Sequence, residues 1–328
     1  MPRSCQKVHF KPAVQNLVTN GTIAAKVTDP RLINAWGIVE YNNTLWAVAN
    51  GSNLVLNYSF DGTILPTSIT IPGGLPTGII VNNTDGFLIT SGPVTLPATF
   101  LIATENGLVV GYNADVDPVN AITVIDRSGV DAVYKGLAIA NGRLFVTDFF
   151  NRRVDVFDAA YNLLVGYVFT DPSTENPIPA DFAPFNIVNI DDRLFITYAK
   201  QLPPDNEEVV VGPGNGFISV FDFYGAFVRR LVSGGALNAP WGLAVAPHGW
   251  CDASCKLLVG NFGDGRINVY DFCGKYHGYL RDKCGRAIVL NGLWGLVNYK
   301  RQVYFASGPN AEAAGLVGVL EKPRCHKH

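Results

Sequence analysis

One short pattern, a residue followed by glycine and an aliphatic side chain, recurs six times and constrains the fold more than any other feature of the chain. The copies are Trp36-Gly37-Ile38, Thr77-Gly78-Ile79, Lys135-Gly136-Leu137, Phe185-Asn186-Ile187, Trp241-Gly242-Leu243 and Trp294-Gly295-Leu296, with asparagine in place of glycine in the fourth. Their centres lie 41 to 58 residues apart, the spacing of four-stranded propeller blades with insertions of variable length. A second strand follows each copy: Leu45 to Asn50, Phe87 to Ser91, Leu144 to Asp148, Leu194 to Tyr198, Leu257 to Asn261 and Val303 to Ser307. Third strands are expected at Val154 to Asp158, Phe217 to Asp222, Ile267 to Asp271 and Leu316 to Leu320. Weaker outer strands are expected at Leu163 to Phe169, Phe227 to Val232 and Tyr276 to Leu280. The clearest hairpin joins Leu257 to Asp271 through the turn Gly263-Asp264-Gly265.

A unit this thin cannot bury its own faces, so the units must stack radially, and a closed ring leaves no blade exposed. The last copy runs out of chain after Leu316 to Leu320, while Val14 to Val18 is a spare strand at the other end. Docking one on the other closes the ring and covers an open sheet edge. The expectation is an all-β, six-bladed β-propeller of four-stranded blades in which an N-terminal strand completes the last blade. It forms a single domain over residues 1–328, with tails at 1–13 and 322–328.

Composition supports this and removes several function classes. Of the 328 residues, 48% are hydrophobic, and 34 Gly, 20 Pro, 13 Tyr and 19 Phe against a single Met suit strands and turns rather than helices. A net charge of −2 with scattered lysines and arginines gives no clustered basic face for nucleic acid. No apolar run approaches the ~18 residues that span a bilayer, and Arg3, Lys7 and Lys11 interrupt the start of the chain where a signal peptide would carry an apolar core.

Asp148-Phe149-Phe150-Asn151-Arg152-Arg153-Val154-Asp155-Val156-Phe157-Asp158 resembles the NHL repeat. Together with Asp29-Pro30-Arg31-Leu32-Ile33-Asn34-Ala35-Trp36-Gly37-Ile38, the 257–271 hairpin and Gly292-Leu293-Trp294-Gly295-Leu296, it makes nearly the whole chain similar to a mainly bacterial family of NHL-like six-bladed propellers. That resemblance implies the fold and no activity. Propellers of the regucalcin and gluconolactonase kind hold a divalent cation in the channel, which implies Asp148, Asn50, Asn186 and Asn261 as calcium ligands here. One carboxylate is few for calcium.

In a propeller the start of each inner strand and the end of each second strand emerge together around the channel. Asn34, Trp36, Lys135, Asn186, Trp241 and Trp294 are therefore expected to share a mouth with Asn50, Ser91, Asp148, Tyr198, Asn261 and Ser307. Trp36, Asn50, Asn186, Tyr198, Trp241, Asn261 and Trp294 form a candidate binding surface of aromatic walls and amides. The competing structural role is packing between blades and closure of turns. Lys135 and Asp148, facing each other, would be the candidates for proton transfer, or else an ordinary ion pair. No Ser-His-Asp order, His-Glu-x-x-His or phosphate-cradling glycine motif is present. Insertions at Pro93 to Thr99 and Gln201 to Gly214 are expected to lengthen second-to-third-strand loops on the mouth face.

Six cysteines, Cys5, Cys251, Cys255, Cys273, Cys284 and Cys325, are an unusual choice for a reducing compartment. Cys5 with Cys325 would lock the ring closure; Cys255 with Cys273, or with Cys251, is also within reach, and His248 with Cys251, Cys255 and Cys273 is a zinc alternative. Asn-x-Ser/Thr sequons begin at Asn20, Asn42, Asn50, Asn57 and Asn82. Taken together, the residues favour a non-catalytic binding or structural propeller that presents its mouth to a protein or glycan, at a cell envelope, outside the cell or on a particle surface. A channel-sited hydrolase or lyase, with or without calcium, is the alternative.

Overall fold

The computed structural model describes residues 12–323 and shows six sheets arranged around an axis. From the axis outward, the first blade is Ala35–Tyr41, Thr44–Ala49, Leu54–Tyr58 and Ile64–Thr70. The fourth is Phe182–Ile190, Arg193–Lys200, Phe217–Phe221 and Phe227–Ser233, and the fifth Pro240–Val245, Leu257–Asn261, Ile267–Tyr270 and Tyr276–Tyr279. The sixth combines both ends of the chain. Leu293–Tyr299, Gln302–Ser307 and Leu316–Leu320 are followed by Val14–Thr19, antiparallel to Leu316–Leu320 in the register Val14↔Leu320, with Val27–Thr28 beyond it. The expected closure is therefore present.

Each inner strand packs on the next, and the sixth on the first. The repeated glycine explains how they come so close. A Cβ at Gly37 would sit 2.7 Å from the Thr77 carbonyl oxygen, one at Gly242 2.4 Å from that of Trp294, and one at Gly295 2.6 Å from that of Trp36. Such contacts are below any that real Cβ atoms make, so a side chain here would push adjacent blades apart. The fourth blade solves the same problem differently: Asn186 donates its Nδ2 to the Trp241 carbonyl at 2.8 Å, bonding blade four to blade five. Apolar residues fill the wedges between blades. Leu17, Leu45, Tyr304 and Val319, for instance, lie together between the first and sixth blades.

Two blades depart from expectation. In the second, Leu88–Ser91 is not the second strand; it folds back on Val94–Pro97 as a separate two-stranded hairpin around Gly92. The second strand is Phe100–Thr104, a fully buried run, flanked by Pro76–Val81 and by Leu108–Tyr112, which leads to Ile122–Asp126. The hairpin thus joins the first and second strands, so it lies at the rim opposite the mouth, and Ser91 leaves the mouth with it.

The third blade has three strands, Tyr134–Ala140, Arg143–Asp148 and Arg153–Phe157. Residues 163 to 169 make one bridge, Phe157 with Leu163, and no strand. Gly166, at φ +91°, turns the chain. Phe169 then packs edge-on against Phe145 and Phe221, and Asp171 is held by Ser219 Oγ at 2.6 Å and Arg230 Nε at 2.5 Å. This segment serves as a wedge between blades three and four rather than as an outer strand.

Candidate functional site at the channel mouth

The register fixes one end of the channel. Ala35 pairs with Ala49, Pro76 with Thr104, Tyr134 with Asp148, Pro184 with Tyr198, Pro240 with Asn261 and Leu293 with Ser307, so all six pairs open on one face. The aromatic residues expected as walls form a plug instead. Trp36, Trp241 and Trp294 are at most 5% exposed. Trp294 is sandwiched between Trp36 and Phe262, with ring centres at 3.7 and 4.1 Å, while Trp241 meets both tryptophans edge-on. Their stacked faces turn toward one another rather than toward solvent.

Lys135 is embedded in this plug, 2% exposed, with its Nζ 5.2 Å from the Trp36 ring centre. It does not meet Asp148. Its partner is Glu105, which follows directly on the true second strand of blade two. Asp148 instead accepts hydrogen bonds from Asn151 Nδ2 at 2.8 Å and the Val133 amide at 3.2 Å, and pairs with Arg153 at 3.2 Å. Burial pushes its carboxyl up, with those hydrogen bonds opposing the shift. The expected Lys-Asp pair is thus replaced by Lys135 and Glu105, and Asp148 closes the turn of its own blade.

From Glu105 a polar chain crosses the mouth. Asn50 Nδ2 donates to Glu105 Oε2 at 3.0 Å and to the Pro76 carbonyl at 3.1 Å, while Asn34 Nδ2 donates to Asn50 Oδ1 at 3.3 Å and to Glu312 Oε2 at 3.1 Å. Trp294 Nε1 donates to Asn34 Oδ1 at 3.2 Å, and Trp241 Nε1 to the Lys135 carbonyl at 3.1 Å. Blades one, two, three, five and six therefore share one network. Two donors in these positions, Trp36 Nε1 and Ser307 Oγ, have no partner among the described residues.

Glu312 comes from the loop after the second strand of blade six, and Glu208 from the 201–214 insertion. Gln201 pins the base of that insertion through Nε2 to the Phe149 carbonyl at 2.7 Å and the Asn206 carbonyl at 3.2 Å. Burial first, then the charges of Glu208 and Glu105, push the Glu312 carboxyl up to about 7. Glu208 is also raised, by lost hydration first and by Glu105 and Glu207, with Lys135 opposing. Three carboxylates thus crowd one lysine.

None of these glutamates was expected from the repeat. Glu105 carried a signal, since Phe100–Thr104 is an unbroken apolar run ending at Glu105-Asn106-Gly107. Glu208 lies in the insertion already singled out, and Glu312 sits in a loop with no local pattern.

Of the four calcium candidates, Asn50, Asn186 and Asp148 engage protein donors through their oxygens, whereas Asn261 Oδ1 is buried without a partner among the described residues. Asn50 and Asp148 bond as above, Asn186 bonds Trp241 and the Ile187 amide, and Asn261 Nδ2 bonds Ala236 and Asp264. Tyr198 is buried. Among the described residues no three His, Cys, Asp or Glu side chains are arranged to hold a metal, so His248, Cys251, Cys255 and Cys273 do not form the zinc grouping. Cys255, Cys273 and Cys284 carry exposed free thiols, so neither the Cys251 to Cys255 nor the Cys255 to Cys273 bridge forms. Cys5 and Cys325 lie outside the described residues. Of the sequons, Asn50 and Asn57 are buried, whereas Asn42 is exposed.

Behind the plug the channel widens into a cavity of about 590 Å³ that opens on the opposite face.

No protein-family model matches the chain. Among solved structures, one from Bacteroides thetaiotaomicron of unknown function superposes with a TM-score of 0.62 at 12% identity, covering 94% of this chain and 76% of that one. A luciferin-regenerating enzyme gives 0.56 at 11% identity, covering 94% of this chain and 95% of its own, and a streptogramin B lyase 0.53 at 14%, covering 95% and 97%. At such identities these likenesses concern the fold alone. Sequence relatives are closer. "Uncharacterized protein L690" of Acanthamoeba polyphaga mimivirus is 40% identical over 319 residues, 94% of this chain and 85% of its own, and "Uncharacterized protein R648" of the same virus is 39% identical over 320 residues, 94% and 80%. The relatives are thus viral, where the sequence motifs resemble a mainly bacterial family, and the chain belongs to the family of these mimivirus proteins.

Proposed function

We propose that the protein is a non-catalytic binding propeller whose mouth receives a cationic side chain of a protein partner. The observation that carries this reading is the excess of carboxylate at the mouth: Glu105, Glu208 and Glu312 face one lysine, and burial first, then the neighbouring carboxylates, push the Glu312 carboxyl up to about 7. A cation entering there relieves repulsion already present in the free protein, and desolvated carboxylates attract it more strongly than surface ones do. The 201–214 loop, on the same rim, offers the variable surface by which such a propeller chooses its partner. An array of short peptides tests this. Lysine- and arginine-bearing peptides should bind, and the double change Glu208→Gln with Glu312→Gln should weaken them about tenfold or more. Equal capture of acidic peptides or of neutral glycans would contradict it.

One observation favours the second reading, a hydrolase or lyase. A carboxyl titrating at about 7 beside a buried Lys-Glu pair is suited to general acid or base work. The binding reading stands ahead of it because, among the described residues, no hydroxyl or thiol at the mouth is hydrogen-bonded to a base, and Ser307 Oγ has no partner.

We infer a location outside the cell, at its envelope or on a particle surface. Its support is the cysteine content, now narrowed to Cys5, Cys251 and Cys325 as candidates for bridging. Peptide mapping without reductant should find a linked pair that includes Cys251. Six alkylatable thiols would remove the argument.

A further inference from the structure

We propose that the cavity on the face opposite the mouth is a second, separate binding site, for a small amphiphilic amine. Its wall is backed by six aliphatic residues, one from each blade, Ile38, Ile79, Leu137, Ile187, Leu243 and Leu296, each at most 8% exposed, with half-buried side chains such as Val39, Val188 and Val297 nearer the opening. These are the third residues of the six repeats, so the glycine ring that draws the blades together also sets this apolar ring just behind it. Trp241 is at the floor, and the stacked tryptophans beyond it close the way to the mouth. The cavity is thus a dead end, and its volume of about 590 Å³ lies within the ~300–1,000 Å³ typical of small-molecule sites. A closed bottom of this size admits the body of a small ligand rather than a protein segment.

The polar groups decide which ligand. Asn189, Asp191 and Asn298 contribute to the lining. The two asparagines spend their Nδ2 groups on the Ile139 carbonyl at 3.1 Å and the Val245 carbonyl at 2.7 Å, leaving their oxygens as acceptors. Asp191 is exposed, is the only ionisable residue in the lining, and has no ion-pair partner among the described residues. Acceptors and one free carboxylate at the rim of an apolar well complement an ammonium group on an apolar body, and disfavour a carboxylate or phosphate head.

Calorimetric titration with octylamine, octanol and octanoate tests this directly. Octylamine should bind saturably at one site, octanol more weakly and octanoate weakest of the three. From butylamine to octylamine the affinity should rise about fourfold per methylene, as apolar burial requires. Asp191→Asn, at a left-handed backbone position (φ +47°) that asparagine tolerates, should cost octylamine about threefold to fivefold and leave octanol unchanged. Val297→Phe, filling the well from a half-buried wall position, should abolish binding, with Val188→Phe as the second filling variant if the first does not fold. The double change at Glu208 and Glu312 should leave octylamine binding intact. No saturable binding of octylamine, octanoate binding as tightly as octylamine, a folded filling variant that still binds, or loss of binding in the mouth variant would each overturn the proposal.

Discussion

At the scale of single residues, the glycine of the repeat is the position on which the ring depends. A methyl group at Gly242 would meet the Trp294 carbonyl oxygen at 2.4 Å, and that oxygen belongs to backbone that cannot move without shifting a whole blade. Gly242→Ala should therefore destabilise the protein by about 3 kcal/mol or more, read as a fall in the denaturation midpoint, although alanine ordinarily suits a strand no worse than glycine. Asn186 shows the complementary case. Asn186→Ala would leave the buried Trp241 carbonyl without its donor, at a cost of about 1–3 kcal/mol in chemical denaturation. An unchanged midpoint in either variant would show that the blades do not need this close approach.

The repeat was legible in the chain because every blade must solve the same steric problem at the same place. Glu312 and Glu208 were not, because a carboxylate in a loop becomes significant only through what other blades bring beside it. The stacked tryptophans were visible as a set, but not their burial: six inner strands converging on one axis turn those rings toward each other.

Among the elements, the terminal strand matters most. Val14–Thr19 pairs with Leu316–Leu320, and Leu17 and Val18 are fully buried between the last blade and the first. Removing residues 1–20 strips that pairing and exposes Leu316–Leu320, an entirely apolar strand, as an edge. The truncated chain should aggregate, or elute as oligomers in gel filtration where the full chain does not. A truncated monomer with an unaltered melting temperature would show that the closure is dispensable.

The two misread elements have distinct physical causes. Leu88 to Ser91 has strand-like patterning and does form a strand, but Gly92-Pro93 turns it onto a local partner before the blade can use it. Residues 163 to 169 alternate well enough for an outer strand. Tyr167 and Phe169 instead pack with the apolar layer shared by blades three and four, because burying those rings there outweighs a few more ladder bonds at the edge.

Across the whole molecule, the two ends of the channel have opposite character. One is plugged, polar and acidic; the other is open and aliphatic. The acidic end also marks the pH dependence of stability. Glu312 titrates at about 7 in the folded protein against 4.5 ordinarily, so between these values the folded state holds a proton that the unfolded chain has released. Its contribution to stability is present below about pH 4.5, is lost as pH rises through about 7, and stays lost above. Glu312→Gln keeps the hydrogen bond from Asn34 and removes the charge. It should match the wild type at pH 5 and exceed it at pH 8 by on the order of 1–2 kcal/mol in denaturant unfolding. Equal stability at both values would show that the carboxyl is not crowded.

The same group offers the most direct test of the mouth as a cation-receiving site. Carbon NMR of the glutamate carboxyls, with Glu312 assigned by its loss in Glu312→Gln, would follow its titration with and without a lysine-bearing peptide selected from the array. The account predicts a midpoint near 7 in the free protein and a fall of about one unit or more when the peptide binds. A midpoint near 4.5, or one that the bound peptide leaves unmoved, would contradict it.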